Sequence, residues 1–483
     1  MKLFTFLLII LIIFLLTLSS AHTITLHDYL HLVQETHPFF RKEALSLEIE
    51  RQEQNKFLGD QDWIVRVQPF YAHVENTAIS SLIPDKIDSV GIGAAVERTF
   101  WKTGGLLSIA YDYTRSDQDI DDLVIPGIAT IPVESGVFHE NGLSVTYSHP
   151  LLQNMGGALS RLGYELQGYS VRAVQVNIQE NQELFLLEVG DSFIDGVLLI
   201  EQRRILYKRL ELAKEELERT TRKRKQNLVD EVDVLRARDS VLNVEQNVLG
   251  IEARWKAKQA ELSTIAQFDL SKGLLPEYDL YELATLPSVD DAIDMLKQNS
   301  RVLNVLKIRM NQLEHEKKGV IEQEKPRLDL DISGGLKSGD DNFTDSYSYD
   351  KPQFAAALRF SYPLGNRTTH AEILKTSLEK NRVQEDMNNI KLGLEASLRN
   401  LMTQLKELEK VLILNRKQML VAKDKTKAEQ KRYNQGRIEL TFVIQSRDNE
   451  QNVQLIYAQN GALYHKLLLR YHELMDTLMD SGI

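Results

Sequence analysis

The pattern of apolar positions along this chain is of two kinds, and the commoner one has helical spacing. No proline occurs in residues 158–226 or in residues 367–434, so each run is predicted as one helix roughly 100 Å long. Their apolar positions step by three and four, or by seven, which is typical of coiled-coil seams. The seam residues are Leu186, Phe193, Ile200, Tyr207, Leu398, Leu401, Leu405, Leu408 and Leu412.

The second pattern is strict alternation, which predicts strands. In the second half of the chain it occurs within residues 327–362, where Phe354, Leu358 and Phe360 share a face opposite Arg359. In the first half, strands are predicted within residues 63–149. Each runs for about nine residues, the length that crosses a bilayer when tilted.

Aromatic residues cluster toward the ends of these strands, as in the girdles of membrane proteins. They are Phe100, Trp101, Tyr111, Tyr147, Phe360 and Tyr362. Together with the alternation, this favours a membrane barrel over the edge of a soluble sheet.

The first half also holds an extra hairpin, at residues 90–96 and 107–113, joined by a turn that ends in Gly104 and Gly105. One chain therefore offers four or six strands. Closing the smallest membrane barrel takes roughly eight, so a single chain cannot span a membrane alone.

Two gapless internal matches indicate a tandem duplication. Thr25 aligns with Ser288, a shift of 263, and Asn227 aligns with Gly436, a shift of 209. We expect a first repeat over residues 22–266, a linker over 267–287 and a second repeat over 288–483. Each repeat reads as an opening helix, strands and a long helical hairpin, at 158–266 in the first copy and 367–478 in the second.

The N-terminal residues 3–18 are apolar and precede Ser19-Ser20-Ala21, a small-residue cleavage site. Residues 1–21 are therefore predicted to be a secretory signal peptide, with an uncleaved membrane anchor as the alternative. The net charge of −11 argues against nucleic acid as a partner, and the absence of cysteine excludes disulfides and thiolate sites.

The two hairpin tips are predicted to turn in the same way. Residues 433–438 place Gly436 where the first copy has Asn227. Glycine and asparagine adopt the left-handed conformation that ends a helix more easily than other residues do. Each long helix is therefore expected to reverse there.

The chain resembles the TolC-type outer-membrane efflux proteins over essentially the whole mature sequence. The resemblance is carried by the duplicated opening helices (residues 26–38 and 289–302), the strand-to-helix entries (150–157 and 363–367) and the second tip (433–447). It implies a mostly α fold with membrane β-barrel strands, in which tandem-duplicated long helical hairpins and strand pairs form a trimeric α/β-barrel duct. A homotrimer would share one barrel among outer-membrane lipid of a Gram-negative bacterium, with a helical tunnel in the periplasm. The extra hairpin would then widen that barrel to about 18 strands, or lie outside one of 12.

The resemblance also implies docking and gating residues at the tips. The adaptor-docking residues would be Asn227, Leu228, Val229, Gly436, Arg437 and Ile438. The candidates for a gate at the tunnel mouth are Asp230, Asp233, Tyr433, Phe442 and Gln445. Some relatives carry acidic side chains where this chain has Phe442 and Gln445, so an acidic constriction would have to come from the first copy, and an apolar gate is the other option.

The implied function is the channel-tunnel of a tripartite efflux or type I secretion system. Its partners would be a periplasmic adaptor (membrane fusion) protein and an inner-membrane pump or ABC exporter. No catalytic pattern, cofactor motif or convincing metal site stands out, so no enzyme and no cofactor are expected. The alternative is an exported coiled-coil scaffold or adhesin, which would not need lipid-facing strands. The cargo stays open.

Overall fold

The computed structural model describes residues 23–76, 84–119, 122–125, 128–132, 135–270 and 274–479. The expected signal peptide lies outside these residues. The chain is mostly helical and forms two compact units. The first unit, called the helical unit below, takes in Met1–Ser46, Gln175–Val305 and Met387–Ile483. The second unit takes in Leu47–Val174 and Leu306–Asp386.

The helices include two that are far longer than those of ordinary globular domains. In chain order the helices are α1 (Leu26–Thr36), α2 (Pro38–Lys56), α3 (Ala158–Lys225), α4 (Glu231–Ala266), α5 (Val289–Asn299), α6 (Arg301–Glu324), α7 (Arg367–Asn434) and α8 (Leu440–Leu474). Helices α3 and α7 have 68 residues each and match the two proline-free runs to within one residue. In the described part of the chain, no helix combines the length and the apolarity needed to cross a membrane.

Six strands of the second unit form one antiparallel sheet, in the order β10-β9-β7-β4-β3-β2. The strands of the chain are β1 (Thr23–Thr25), β2 (Ile64–Glu75), β3 (Lys86–Phe100), β4 (Gly105–Asp119), β5 (Leu123–Ile125), β6 (Ala129–Ile131), β7 (Gly136–Pro150), β8 (Leu275–Glu277), β9 (Arg327–Asp340) and β10 (Lys351–Ser361). The short strands β1 and β8 pair with each other, as do β5 and β6.

The sheet strands are longer than the nine residues that alternation indicated. They run from 11 residues in β10 to 15 in β3, β4 and β7. Backbone ladders depend on N–H and C=O groups and not on side-chain polarity. The ladder therefore continues past the apolar alternation, as where His139 of β7 pairs with Asp340 of β9.

The extra hairpin is part of this sheet. Strands β3 and β4 lie between β2 and β7, with Val96 opposite Ile109 and Ile109 opposite Val145. Its turn contains Gly104 at φ +73°, where a Cβ would meet the Asn154 backbone oxygen. Within one chain, the choice between four and six strands is therefore resolved in favour of six.

The core of the helical unit has similar parts in both halves of the chain. Thr25 caps α1 by accepting a hydrogen bond from the Asp28 N–H, and Ser288 caps α5 by accepting one from the Asp291 N–H, both at 3.2 Å. Behind these caps α1 packs on α3 and α4, where the Tyr29 hydroxyl donates to the Leu262 carbonyl. Helix α5 packs in the same way on α7 and α8. The apolar faces that the sequence placed on these helices are thus buried against the long helices.

Candidate functional site

The six-stranded sheet has one apolar and one polar face, which follow from its register. Residues directly opposite each other share a face, so one face can be traced from Val65 through Val96, Ile109, Val145 and Gly334 to Phe354. Two residues along, the row from Val67 to Leu336 passes through Ala94, Tyr111 and Leu143. In these two rows the face is apolar across all six strands, and toward the strand ends it also carries polar residues such as His139 and Asp340.

The intervening residues make the opposite face polar. Its members include Arg66, Gln68, Glu97, Ser108, Asp112, Glu140, Ser144, Thr146, Asp331, Ser333, Lys337, Gln353 and Arg359. Neighbouring strands join their charges there: Arg66 to Glu97 at 2.8 Å, and Arg359 to Asp331 at 2.6 Å. A longer pair, Lys337 with Glu140 at 3.3 Å, joins β9 to β7.

The apolar face is exposed. Phe354 is 77% accessible, Leu358 66% and Val65 67%. A contiguous exposed apolar surface that extends across six strands indicates contact with another protein or with lipid. Alternation between an apolar outer face and a polar inner face is the pattern of a transmembrane β-barrel strand.

The aromatic residues near the strand ends are arranged differently from the expected girdle. Trp101 is buried and its ring lies 5.5 Å from that of Tyr164, while Tyr111 stands in mid-strand with its hydroxyl donating to Asn141. Those two assignments are therefore wrong, because packing against α3 and a polar partner on β7 hold these rings.

An aromatic cluster that the sequence did not indicate lies at the other end of the sheet. Phe343 contacts Tyr113 and His139, with ring centroids 5.7 and 5.6 Å apart, and Tyr347 lies 5.3 Å from Phe343. The loop between β9 and β10 folds back onto the sheet because Asn141 donates to the Ser346 oxygens. The sequence showed this loop only as polar and acidic.

The two hairpin tips end their long helices by the same mechanism. Asn227 has φ +56° and Gly436 has φ +71°, which confirms the predicted left-handed residues. At each tip the next N–H reaches back five residues, from Leu228 to the Lys223 carbonyl and from Arg437 to the Arg432 carbonyl, both at 3.0 Å. This pairing is a Schellman motif, which satisfies carbonyls at the end of a helix.

An open groove of ≈ 720 Å³ lies between the two tips. It brings together nine of the eleven predicted docking and gating residues: Asn227, Leu228, Val229, Asp230, Asp233, Tyr433, Gly436, Arg437 and Ile438. Phe442 and Gln445 do not line it. Gln445 lies in a second groove, with Asp239 and Asp448, and Phe442 is 52% exposed.

Tyr433 is buried inside the tip of its own chain. Only 4% of its surface is exposed, and the Lys223 ammonium lies 3.9 Å from the ring centroid in a cation–π contact. Burial raises the pKa of Tyr433, so the phenol stays neutral at physiological pH. The contact between Lys223 and the Tyr433 ring joins the end of α3 to the end of α7.

Just behind the tips lies a buried ionic cluster that the sequence reading missed. Arg447 and Glu216 are 7% and 2% exposed, and the Arg447 guanidinium lies 3.3 Å from the Glu216 carboxylate. Arg447 also donates to the Leu212 carbonyl and to Gln430, so it joins α8 to α3 and α7. Arg209, 4% exposed, bonds Asp448 at 2.6 Å. Helical periodicity could not reveal it, since charged residues are expected on solvated faces.

A second cluster lies at the C-terminal end of α8. One oxygen each of Glu180, Glu183 and Asp476 lies within 4.8 Å of the others. Arg301 contacts two of them, with Nη1 donating to Glu183 at 2.6 Å and its backbone N–H donating to Asp476 at 2.6 Å. Desolvation and the neighbouring carboxylates raise the pKa of Glu180 to about 7. The guanidinium already neutralises part of the acidic charge.

A scan against protein-family models and a search of the curated proteins gave no match. Solved structures are similar over nearly the whole chain. The Vibrio cholerae outer membrane protein VceC aligns over 93% of this chain and 96% of its own, at TM-score 0.62 and 10% identity. The Campylobacter jejuni CmeC outer membrane channel aligns over 94% and 86%, at TM-score 0.62 and 12% identity.

The outer-membrane channel OprN aligns over 94% of this chain and 91% of its own, at TM-score 0.62 and 13% identity. The chain has the fold of an outer-membrane channel. This fold of the single chain confirms the resemblance to TolC-type outer-membrane channels that the duplicated helices, strand entries and tips carried.

Proposed function

We propose that this chain is the outer-membrane channel of an export system. The observation that carries the proposal is the sheet with one exposed apolar face and one polar face, in the same chain as two helical hairpins with matching tips. Such a sheet suits a barrel wall, with lipid outside and water inside. The hairpins would continue the duct into the periplasm of a Gram-negative cell.

In this proposal the working unit is a homotrimer, because one chain has too few strands to enclose a pore. The tips would dock a periplasmic adaptor, which would join the duct to an inner-membrane pump or ABC exporter. The groove between the tips supports this role, since it gathers Leu228 and Ile438 with charged neighbours at the end of the hairpins. Leu228 is 67% exposed, as a docking residue would be.

An exported coiled-coil scaffold or adhesin is the competing proposal. It would account for the long helices but would leave the exposed apolar face of the sheet without a purpose. The channel therefore accounts for more of the molecule. The proposed export system is a tripartite efflux or type I secretion system, and its cargo stays open.

The first test is to extract the full-length protein from outer membranes in mild detergent, measure its native mass and add it to planar lipid bilayers. The proposal expects a three-chain particle that produces discrete conductance steps. A periplasmic monomer or dimer that conducts nothing would overturn the channel and leave the scaffold.

A docking test changes Leu228→Glu and Ile438→Glu together, which places two carboxylates in the tip groove. The variant is expected to stay trimeric in the outer membrane and to conduct in bilayers, but to lose export in cells. A matched variant, Leu414→Glu, also replaces an exposed leucine of the hairpins but lies outside the groove. Export lost equally in both variants would contradict docking at the tips.

A further inference from the structure

Within the described part of the chain, the two outer strands of the sheet leave their backbone edges unpaired. All 11 residues of β10 are exposed, and so are all residues of β2 except Ala72, which is half-buried. Each edge strand contains one proline, Pro352 or Pro69, so each lacks a single N–H donor. The remaining groups on each edge are free to bond another strand.

If this sheet lies in a membrane, those edges cannot stay open. Hydrocarbon offers no water, and each unsatisfied N–H or C=O group costs several kcal/mol there. The sheet cannot close on itself either, because six strands are fewer than the eight of the smallest known barrels. Strands from other chains must therefore satisfy both edges, and further copies of this chain offer two edges of the same kind.

The two edges are complementary. Neighbouring strands are antiparallel throughout, so with six strands β2 and β10 run in opposite directions. They also match in length, at 12 and 11 residues. An antiparallel pair between β2 of one chain and β10 of the next would therefore use almost the full length of both.

We propose that the inserted hairpin β3–β4 is part of the barrel wall, and that β2 of each chain pairs with β10 of the next. The proposal rests on the proposed channel function, from which it takes the three copies. Three chains with six strands each then close a barrel of eighteen strands. Barrels of 16–18 strands are wide enough for an aqueous channel.

The contact between β2 of one chain and β10 of the next is called the seam below. The alternation of apolar and polar side chains on the two strands limits the registers in which they can pair at this seam. A slip of one residue would turn apolar side chains into the lumen, so only registers that keep the apolar face continuous are allowed. The register with full overlap sets Val67 opposite Leu358 and Tyr71 opposite Phe354. On the polar face it sets Arg66 beside Arg359. Each arginine already has a carboxylate partner in its own chain.

Engineered disulfides test the seam without interference, because the chain contains no cysteine. The double variant Val67→Cys/Leu358→Cys is expected to give, on oxidation of outer membranes, a covalent species of three chains on denaturing gels. Val67→Cys/Ala357→Cys is the matched control, since residue 357 faces the other way. It should stay monomeric, as should each single variant.

A second pair of variants tests the hairpin. Ile109→Cys/Val145→Cys joins residues that lie opposite each other on β4 and β7, and should form a disulfide within one chain. In Val65→Cys/Val145→Cys the two residues share a face but are three strands apart, roughly 14 Å, and should not react. A barrel with the hairpin outside would pair β2 directly with β7 and reverse this result.

These outcomes distinguish a failure of the eighteen-stranded barrel from a failure of the proposed channel function. If the Val65/Val145 pair reacts, or if the seam variant stops at two chains or stays monomeric in a channel that conducts, the eighteen-stranded wall is wrong and the channel stands. If the unmodified protein forms neither a trimer nor a conducting pore, the channel itself is wrong. The single-cysteine variants show whether the substitutions disturb assembly, through their trimer yield.

Discussion

At the scale of single residues, the tips depend on backbone conformation more than on side-chain contacts. Gly436 has φ +71°, and a Cβ there would find open space within 4 Å. A side chain at this position is therefore opposed only by the left-handed conformation, which costs roughly 1–2 kcal/mol for ordinary residues and less for asparagine. At the equivalent position of the first tip, Asn227 has φ +56°, and asparagine is the residue that adopts this conformation most easily after glycine.

We expect Gly436→Ala to loosen the second tip by about 1 kcal/mol, and Gly436→Asn to have a smaller effect. The measurement is hydrogen exchange at the Arg437 amide, whose bond to the Arg432 carbonyl closes the turn. About 1 kcal/mol corresponds to roughly fivefold faster exchange. Gly393→Ala is the control: it lies inside α7 with open space around it and should stabilise the helix. Equal effects of both alanines would contradict the conformational argument.

Phe442 is the apolar candidate for the gate, and it is 52% exposed in the single chain. If three copies meet at the tunnel mouth, Phe442→Ala removes a large part of the constriction and should raise the leak through the closed channel. The readout is the baseline conductance in planar bilayers and the uptake of large antibiotics by cells. Leu463→Ala is the matched control, an exposed apolar residue 21 positions along α8, on the same side of the helix and about 32 Å farther from the tip. An unchanged leak would reject Phe442 as the gate.

At the scale of elements, the hairpins are joined by buried charges as well as by apolar seams. Arg447 links α8 to α3 and α7 near the tips, and burial lowers the pKa of its guanidinium while Glu216 raises it. A buried pair of this kind contributes little net stability, but losing one partner leaves the other charge buried and alone.

We expect Arg447→Met to destabilise the tip region by about 3–5 kcal/mol, because Glu216 keeps its burial and loses its main partner. The double variant Arg447→Met/Glu216→Gln should recover part of this loss. Thermal unfolding followed by circular dichroism measures both. Arg437→Met, at an exposed position, should change little. If the double variant is no more stable than the single one, the uncompensated charge is not the cause.

The acidic cluster makes the stability of the helical unit depend on pH. Around Glu180 stand Glu183 on α3, Arg301 at the start of α6, and Glu473 and Asp476 at the end of α8, and the pKa of Glu180 is raised to about 7. In the unfolded chain this pKa is near 4.5. The folded state therefore holds a proton that the unfolded state releases, and stability falls as pH rises between these values.

Burial lowers the pKa of His465 to about 4, which acts in the opposite direction, so the effect of Glu180 is measured against the variant Glu180→Gln. The expected result is a difference in unfolding temperature between the two proteins that grows from about pH 5 to about pH 8. The carboxyls of Glu183, Glu473 and Asp476 add to the effect in the same direction, since burial raises the pKa of each. Glu180→Gln should flatten the curve and raise the unfolding temperature at the higher pH. Glu188→Gln, an exposed residue of the same helix, should leave the curve as it is. A difference between wild type and Glu180→Gln that stays constant over this interval would contradict the assignment.

At the scale of the whole molecule, the exposed apolar residues point to assembly. Leu235, Leu242 and Leu249 of α4 are 56%, 58% and 72% exposed and recur every seven residues. A heptad stripe of this kind is covered by another helix in coiled coils. In the proposed trimer, a neighbouring chain would cover it.

We expect Leu242→Glu to lower the yield of trimer, because a carboxylate would be buried in that contact. Native mass in mild detergent is the measurement. The isosteric change Asn247→Asp adds the same charge on another side of α4 and should leave the trimer intact. A full trimer yield from Leu242→Glu would show that this stripe is not between chains.

Features that depend on local pattern could be predicted from the amino-acid sequence. Proline-free runs with apolar seams fixed α3 and α7 almost to the residue, since the helix period is set by the backbone. The choice of Asn227 and Gly436 fixed the tips, because few residues accept a positive φ. Alternation located the strands but not their full length.

Which segments pack against each other became clear only from the folded chain. The place of β3–β4 between β2 and β7 is a choice among strand pairings, and alternation is the same in all of them. The burial of Glu216 with Arg447 and the fold of Phe343 onto Tyr113 join residues more than 200 positions apart. From sequence pattern alone, charged residues are expected in solvent and aromatic residues at strand ends. The pattern could not predict these contacts because their partners are distant in the sequence.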